Sequence, residues 1–242
     1  MKINLPSAAL VLLILAAAAS AQTVTITPKK TIYRRAKPMQ ETKKTFTVRR
    51  PIARAASPAV SRSITAAISP EKVLDLNVKD ELNEYQWLYE ADYKVIFNGN
   101  GLICVNLWME GVGAYPDSVD RYVTVRTTDG RRLAAADLFI KLPELAANVR
   151  TLQRAEIRAA TAEIKKDPEA SDIDTSQLFS EASFAVKDLD SYFLDSKGVT
   201  FVYDYGFPHV IKAIEPAGEF RLPWARLKPF IKPGGLLERF VR

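Results

Sequence analysis

The chain has 242 residues, 48% hydrophobic and 26% charged, with a formal net charge of +6. That balance suits a globular protein and excludes a fully disordered chain or a multi-span membrane protein. Its 10 Gly and 14 Pro exclude a collagen-like fibre, and one Cys with one His cannot furnish the four ligands of a structural zinc cage.

Residues 1–21 read as a secretory signal peptide. Lys2 supplies the positive start, Ala8 to Ala19 is an uncharged apolar run, and Ala19-Ser20-Ala21 is a small-x-small cleavage site that leaves Gln22 as the new N-terminus. The run is shorter than the roughly 20 apolar residues of a membrane span, which leaves a retained anchor as the competing reading. No Cys follows it to carry a lipid, and no later segment is apolar enough to span a membrane. The expectation is a periplasmic or secreted protein.

Residues 22–63 read as a basic flexible arm. Residues 22–62 hold eleven basic residues against one acid, Glu41, whereas the remainder is mildly acidic. The cations recur as the pairs Lys29-Lys30, Arg34-Arg35, Lys43-Lys44 and Arg49-Arg50. Large apolar residues are too few to offset the entropy of ordering such a segment. Only Thr23 to Thr27 offers a short edge strand. The eight paired cations are candidate contacts for anionic envelope polymer or lipid headgroups. Nucleic acid is disfavoured by export, and by an aromatic content limited to Tyr33 and Phe46 where single-strand binders use stacking platforms.

The body spans 64–232 and is followed by a tail, 233–242. Ser69 to Leu82 reads as a helix, with Ser69 as cap, Pro70 at the first helical position and Glu71 in the first turn. Tyr85 to Phe97, the turn Asn98-Gly99-Asn100-Gly101 and Leu102 to Val112 predict a hairpin, with Ile103, Val105, Leu107 and Met109 on one face. Cys104, inside that strand, reads as a small buried hydrophobe. Arg121 to Thr127 places Val123 and Val125 inward and Tyr122, Thr124 and Arg126 outward, ahead of a turn at Asp129-Gly130. Pro143 opens a long helix that Asp167-Pro168 closes. Leu145, Val149, Leu152, Ile157, Ala160 and Ile164 form its apolar stripe. The loop that follows holds Asp167, Glu169, Asp172 and Asp174 but lacks the spacing of a calcium loop. Tyr192 to Leu194 and a turn at Asp195 to Gly198 lead into the alternation Val199, Phe201, Tyr203, Tyr205. Phe220, Leu222 and Trp224 alternate in a further strand, and Pro223 to Ile231 reads as a short closing helix. The sum predicts an α+β fold: a mostly antiparallel sheet packed against one long helix, with a short C-terminal helix and two subdomains split near 128.

Several stretches, in order, resemble one family. Thr128-Asp129-Gly130-Arg131-Arg132-Leu133 with Asp137-Leu138-Phe139 is similar to the signature of the RsiV-like domains. These are domains of unknown function in the extracytoplasmic part of RsiV-type anti-sigma factors, also found beside PdaC-type polysaccharide deacetylases. The likeness continues through Phe184, Phe193, Gly198 to Tyr203, Ala217-Gly218, Leu222-Pro223-Trp224 and Leu227. Upstream it takes in Tyr93 to Val105 and Gly113 to Pro116. It covers about residues 65–231 and implies an extracytoplasmic α+β module. The chain departs from the pattern around Pro208 to Ile214, where His209 and Ile214 stand in place of the family's tyrosines. The sigma-binding segment and the deacetylase domain of those relatives have no counterpart here.

No catalytic motif accompanies this pattern. A Gly-x-Ser-x-Gly elbow, a His-Glu-x-x-His pair, a phosphate loop and a dinucleotide fingerprint are all absent from the sequence. No cofactor, metal or catalytic residue is assigned, and His209 reads as an exposed or hydrogen-bonded strand residue. The expected function is a non-catalytic binding module of the cell envelope that recognises a wall glycan or an envelope-acting protein such as a muramidase. Two alternatives stand beside it. One is adhesion to anionic polymer through the basic arm; the other is a hydrolase using two carboxylates, with Glu110, Asp117, Asp188 and Asp190 as candidates.

Overall fold

The computed structural model describes residues 24–168, 170 and 172–241. The signal-peptide reading lies outside them. Where a flexible arm was expected, β1 (Thr25–Arg34) and β2 (Thr45–Arg54) form a ten-pair antiparallel hairpin. β-Branched residues in both segments favour the pleated backbone. Phe46 and Val48 are buried under the helices that follow. The cations that suggested disorder are instead paired to carboxylates far along the chain. Arg49 bonds Glu90 (2.7 Å) and Asp92, Arg50 bonds Glu71 (2.6 Å), and Arg35 bonds Glu81 (3.4 Å).

A crossover then carries α1 (Pro58–Ala67), α2 (Pro70–Val73) and α3 (Val78–Asn83) over one face of the sheet. Ser57 caps α1 by accepting from Val60 N (3.1 Å), and Pro58 sits where no N–H is needed. The single helix expected over Ser69 to Leu82 is two. Asp75 adopts φ 54° between them, which lets both Leu74 and Leu76 reach the core. β3 (Leu88–Gly99) lies parallel to β2, and β4 (Leu102–Val112) and β5 (Pro116–Arg126) continue antiparallel in the order β1-β2-β3-β4-β5. Positive φ at Asn100 and Gly101 makes the tight β3–β4 turn.

After the short α4 (Ala135–Leu138) comes the long α5 (Leu142–Ile164), and then α6 (Thr175–Leu178). β6 (Tyr192–Asp195), β7 (Gly198–Val202) and β8 (Glu219–Pro223) form a second, three-stranded antiparallel sheet, followed by α7 (Trp224–Leu227). This sheet and α5 share one core with the first sheet. Leu102 and Cys104 of β4 lie in the same cluster as Leu145, Val149, Phe184, Phe201 and Leu222. The chain position near 128 therefore divides two sheets, but one core cluster crosses it through Leu102 and Cys104. Thr124, expected outward, is 2% exposed because that face of β5 meets β6. The expected tail also belongs to the fold: Leu237 is buried, and Phe240 stacks on Trp224 at 4.3 Å. No helix among the described residues is long and apolar enough to cross a membrane.

Candidate functional site

Cross-strand partners share a face of a sheet, and successive residues alternate faces. One face of the five-stranded sheet is covered by α1 to α3. The opposite face is covered by the second sheet around Leu102, Cys104 and Thr124, with Phe193 reaching as far as Tyr122. Its other half lies open. The register there sets Glu90 against Glu110 and Ser118, Asp92 against Trp108 and Asp120, and Lys94 against Asn106 and Tyr122. Trp108 is half-buried at the centre, with carboxylates on both sides. Arg49 holds Glu90 and Asp92 from β2, and Asn106 Nδ2 donates to Asp120 Oδ2 at 3.4 Å.

Three adjoining hollows of about 510, 570 and 420 Å³ border this face. Their far wall is the connection between β7 and β8. His209 there donates its Nε2–H to the Pro116 carbonyl (2.6 Å), with its ring 5.2 Å from that of Tyr115. It sits in a 3-10 turn, His209–Ile214, and not in the strand expected for it. Lys212 reaches Glu215 (2.5 Å) and Asp204 (3.8 Å), and its pKa is raised chiefly by the hydrogen bond to Glu215, with Asp204 and Asp117 adding to the effect. Tyr122 stacks on Phe193 at 4.6 Å; burial, then Asp120 and Glu219, push its pKa up to about 12, so its hydroxyl remains a neutral donor. The bottom of the site thus offers one indole surface, several acceptors, an amide and a phenol.

The residues singled out in the sequence are scattered by the fold. Arg35 and Lys43 are buried: Lys43 Nζ donates to the Val112 carbonyl (2.6 Å), and Arg35 lies 4.6 Å over the Phe46 ring. Lys44 pairs with Glu41, and Arg49 and Arg50 are engaged as described. Only Lys29, Lys30 and Arg34 project from the exposed strand β1 with no ion pair among the described residues. Of the four candidate carboxylates, Glu110 and Asp117 line the same hollow. Asp188 and Asp190 are structural acceptors, taking the N–H groups of Ala185 and Ala135 at 2.7 Å each. Trp108, Asn106 and Asp120 carried no motif. The period-2 alternation of β4 marked Trp108 as facing away from Leu107 and Met109, and that was its one signal. Cys104 is buried, and burial pushes its thiol pKa up, which suits a packing role. Among the described residues no group of three or more His, Cys, Asp or Glu side chains is arranged to hold a metal ion.

No family model matches the chain, and no curated protein matches it in sequence. Solved structures do resemble it. A DUF3298 family protein from Pseudomonas aeruginosa PAO1 superposes with a TM-score of 0.53 at 14% identity, covering 88% of this chain and 95% of that one. A member of the DUF3298 family from Bacteroides fragilis NCTC 9343 gives a TM-score of 0.47 at 13% identity, covering 88% and 94%. DUF3298 proteins are RsiV-like domains. The Pseudomonas structure therefore agrees, at the level of fold, with the class of module that the motif order resembles. The likeness extends to the α+β architecture and no further.

Proposed function

We propose that this is an exported, non-catalytic binding module of the bacterial envelope, and that its open sheet face takes a wall glycan. The observation that carries the reading is Trp108 between Asp92 and Asp120 on an accessible face, beside Asn106 and Tyr122. A sugar ring has an apolar C–H face that suits an indole and a rim of hydroxyl donors that suits carboxylate acceptors. A largely preformed hollow with a few convergent polar groups is the usual form of a ligand site. The excess of carboxylates over free cations on this face disfavours a polyanion there. The resemblance to RsiV-like extracytoplasmic domains and the shared DUF3298 fold support an envelope role, and residues 1–21 supply the route.

Co-sedimentation with purified peptidoglycan sacculi and titration with chitotetraose test the reading. Trp108→Ala should weaken both at least tenfold without changing the unfolding midpoint in denaturant. Equal binding by the variant, or no binding by the wild type, refutes it. The same assay addresses the hydrolase alternative, since Glu110 and Asp117 share a hollow: new reducing ends in the chitotetraose reaction would make the module an enzyme.

A further inference from the structure

We propose that the free edge of β5 accepts an extended, cationic peptide segment of a partner protein as an added strand. β5 is the last strand of its sheet, so one side of its backbone has no strand neighbour. Beyond Thr124 that side is occupied: Leu133 N donates to Thr124 O and Arg126 N to Arg131 O, both at 2.9 Å. The two-residue period of strand hydrogen bonding then turns the peptide groups of Tyr122, Asp120 and Ser118 to the same side. Among the described residues none of these has a backbone partner there. Only side chains shield the edge: Arg121 Nη1 donates to Asp120 O (2.7 Å), Ser118 N donates to Asp117 Oδ1 (2.8 Å), and His209 donates to Pro116 O. Such contacts are exposed and exchangeable.

The other edge of the sheet is defended. Arg35 donates its N–H to Lys44 O (2.9 Å), so the same period turns Lys30 and Pro28 outward on β1. Proline and lysine at outward positions block strand addition. β5 has no proline past its first residue and is bordered instead by a groove. The hollow of about 420 Å³ runs along residues 117–122, with Val202, Tyr203 and Pro216 opposite, and joins a second of about 480 Å³ at Arg121 and Tyr122. Asp117, Asp120, Asp204 and Glu215 line this groove against two cations, Lys212, already paired to two of them, and Arg121, whose guanidinium lies on Asp120 O, so carboxylates remain in excess. The raised pKa of Lys212 reports the same negative surroundings. A cationic strand is thus the complement: backbone bonds would supply affinity, and alternate lysine or arginine side chains would select it. This edge shares Asp120 and the hollow of about 420 Å³ with the glycan face but does not include Trp108, which lies on the neighbouring strand.

A blocked hexapeptide alternating lysine and valine is the probe, with a glutamate–valine peptide as its charge control. Two N-methylated forms, one at the lysines and one at the valines, test the backbone. The lysine–valine peptide should bind saturably and at least tenfold more tightly than the glutamate–valine one. One N-methylated form should lose at least tenfold and the other much less, because only alternate N–H groups can face β5. Asp120→Pro removes one outward N–H without touching the β4 ladder and should also weaken binding at least tenfold. Trp108→Ala should leave peptide binding unchanged, which separates this site from the glycan face. No saturable binding, equal binding of the two charge types, or indifference to both N-methylations would overturn the proposal.

Discussion

Arg35 has a side chain with no solvent exposure, yet each of its side-chain nitrogens has an acceptor. Nε donates to Glu81 O (2.8 Å), Nη1 to Lys43 O (2.8 Å), and Nη2 to Leu88 O (2.9 Å) and Glu81 Oε2 (3.4 Å). Glu81 in turn accepts from the N–H groups of Trp87 (3.0 Å) and Leu88 (2.8 Å). Burial lowers the Arg35 pKa and Glu81 opposes the shift. Removing one partner of a buried pair strands the other, at a cost of about 3–5 kcal/mol. Glu81→Ala should show that loss in denaturant unfolding, and a change below about 1 kcal/mol would mean that water replaces the carboxylate. The sequence displayed Arg35 as one of a surface pair, because nothing local announces a partner 46 residues away. Asp129 was easier to read as a turn residue, and it is one, whereas Asp137 caps the short α4 by accepting from Ala134 N at 3.0 Å. The hydrogen bond from Arg126 holds the Asp129 pKa down to about 2, and Arg131 lowers that of Asp137. Folded-state values below the ordinary carboxylate range mean that the stabilisation is complete above about pH 4 and is lost as pH falls toward about 2. The thermal midpoint should hold between pH 7 and 5 and drop below 4. Asp129→Asn should flatten part of that drop, and identical slopes for the two proteins would discount the pair.

At the scale of elements, the strands with clean alternation were legible and the irregular junctions were not. β4 begins and ends where its apolar pattern does, and the last strands place Phe201 and Leu222 in the core as their spacing implies, while Trp224 is buried as the first residue of α7 and not in the strand expected for it. The break between α2 and α3 was invisible because capping signals at Ser69 and Pro70 say where a helix starts, not how far it runs. Gly218 illustrates a junction whose requirement is steric. It has φ 64°, and a Cβ there would collide with the carbonyl of Tyr203, whose N–H in turn donates to Gly218 O (2.9 Å). Gly206 has φ 67° and nothing within 4 Å of the same position. Left-handed backbone alone costs an L-residue about 1–2 kcal/mol, and a forced overlap adds about 1–3. Gly206→Ala should therefore lose about 1 kcal/mol and Gly218→Ala about 3. Equal losses would show that the β7–β8 junction relaxes freely.

For the whole molecule, the decisive correction is that the basic segment forms two of the main sheet's five strands, the edge strand β1 among them. Deleting residues 22–62 takes away β1, β2 and half of α1, and uncovers Leu88 and Ala91. That truncation should abolish cooperative unfolding, as read by calorimetry, where a flexible arm would leave it intact. The electrostatic-anchor alternative is tested instead by Lys29→Glu, Lys30→Glu and Arg34→Glu together. These exposed changes should leave the melting temperature within a few degrees, since the side chains make no ion pair among the described residues. If the three cations act as an anchor, salt-sensitive co-sedimentation with anionic vesicles should vanish with them. Unchanged binding would leave β1 a structural edge.

By itself the sequence determined the α+β class, the long helix α5, the β3–β4 hairpin, the late strands that bury Phe201 and Leu222, and the burial of Cys104, but not the division into two sheets. These follow from local periodicity and turn chemistry, which are written in neighbouring residues. The tertiary structure alone decided that Arg35 and the β2 residues Arg49 and Arg50 neutralise Glu81, Glu90, Asp92 and Glu71, and that Phe240 returns to Trp224. It alone set Trp108 between Asp92 and Asp120, and left β5 open beside a groove while β1 is guarded by Pro28 and Lys30. Those facts depend on register and on contacts between segments tens of residues apart, and a charge or an indole carries no mark of the partner that folding will bring to it.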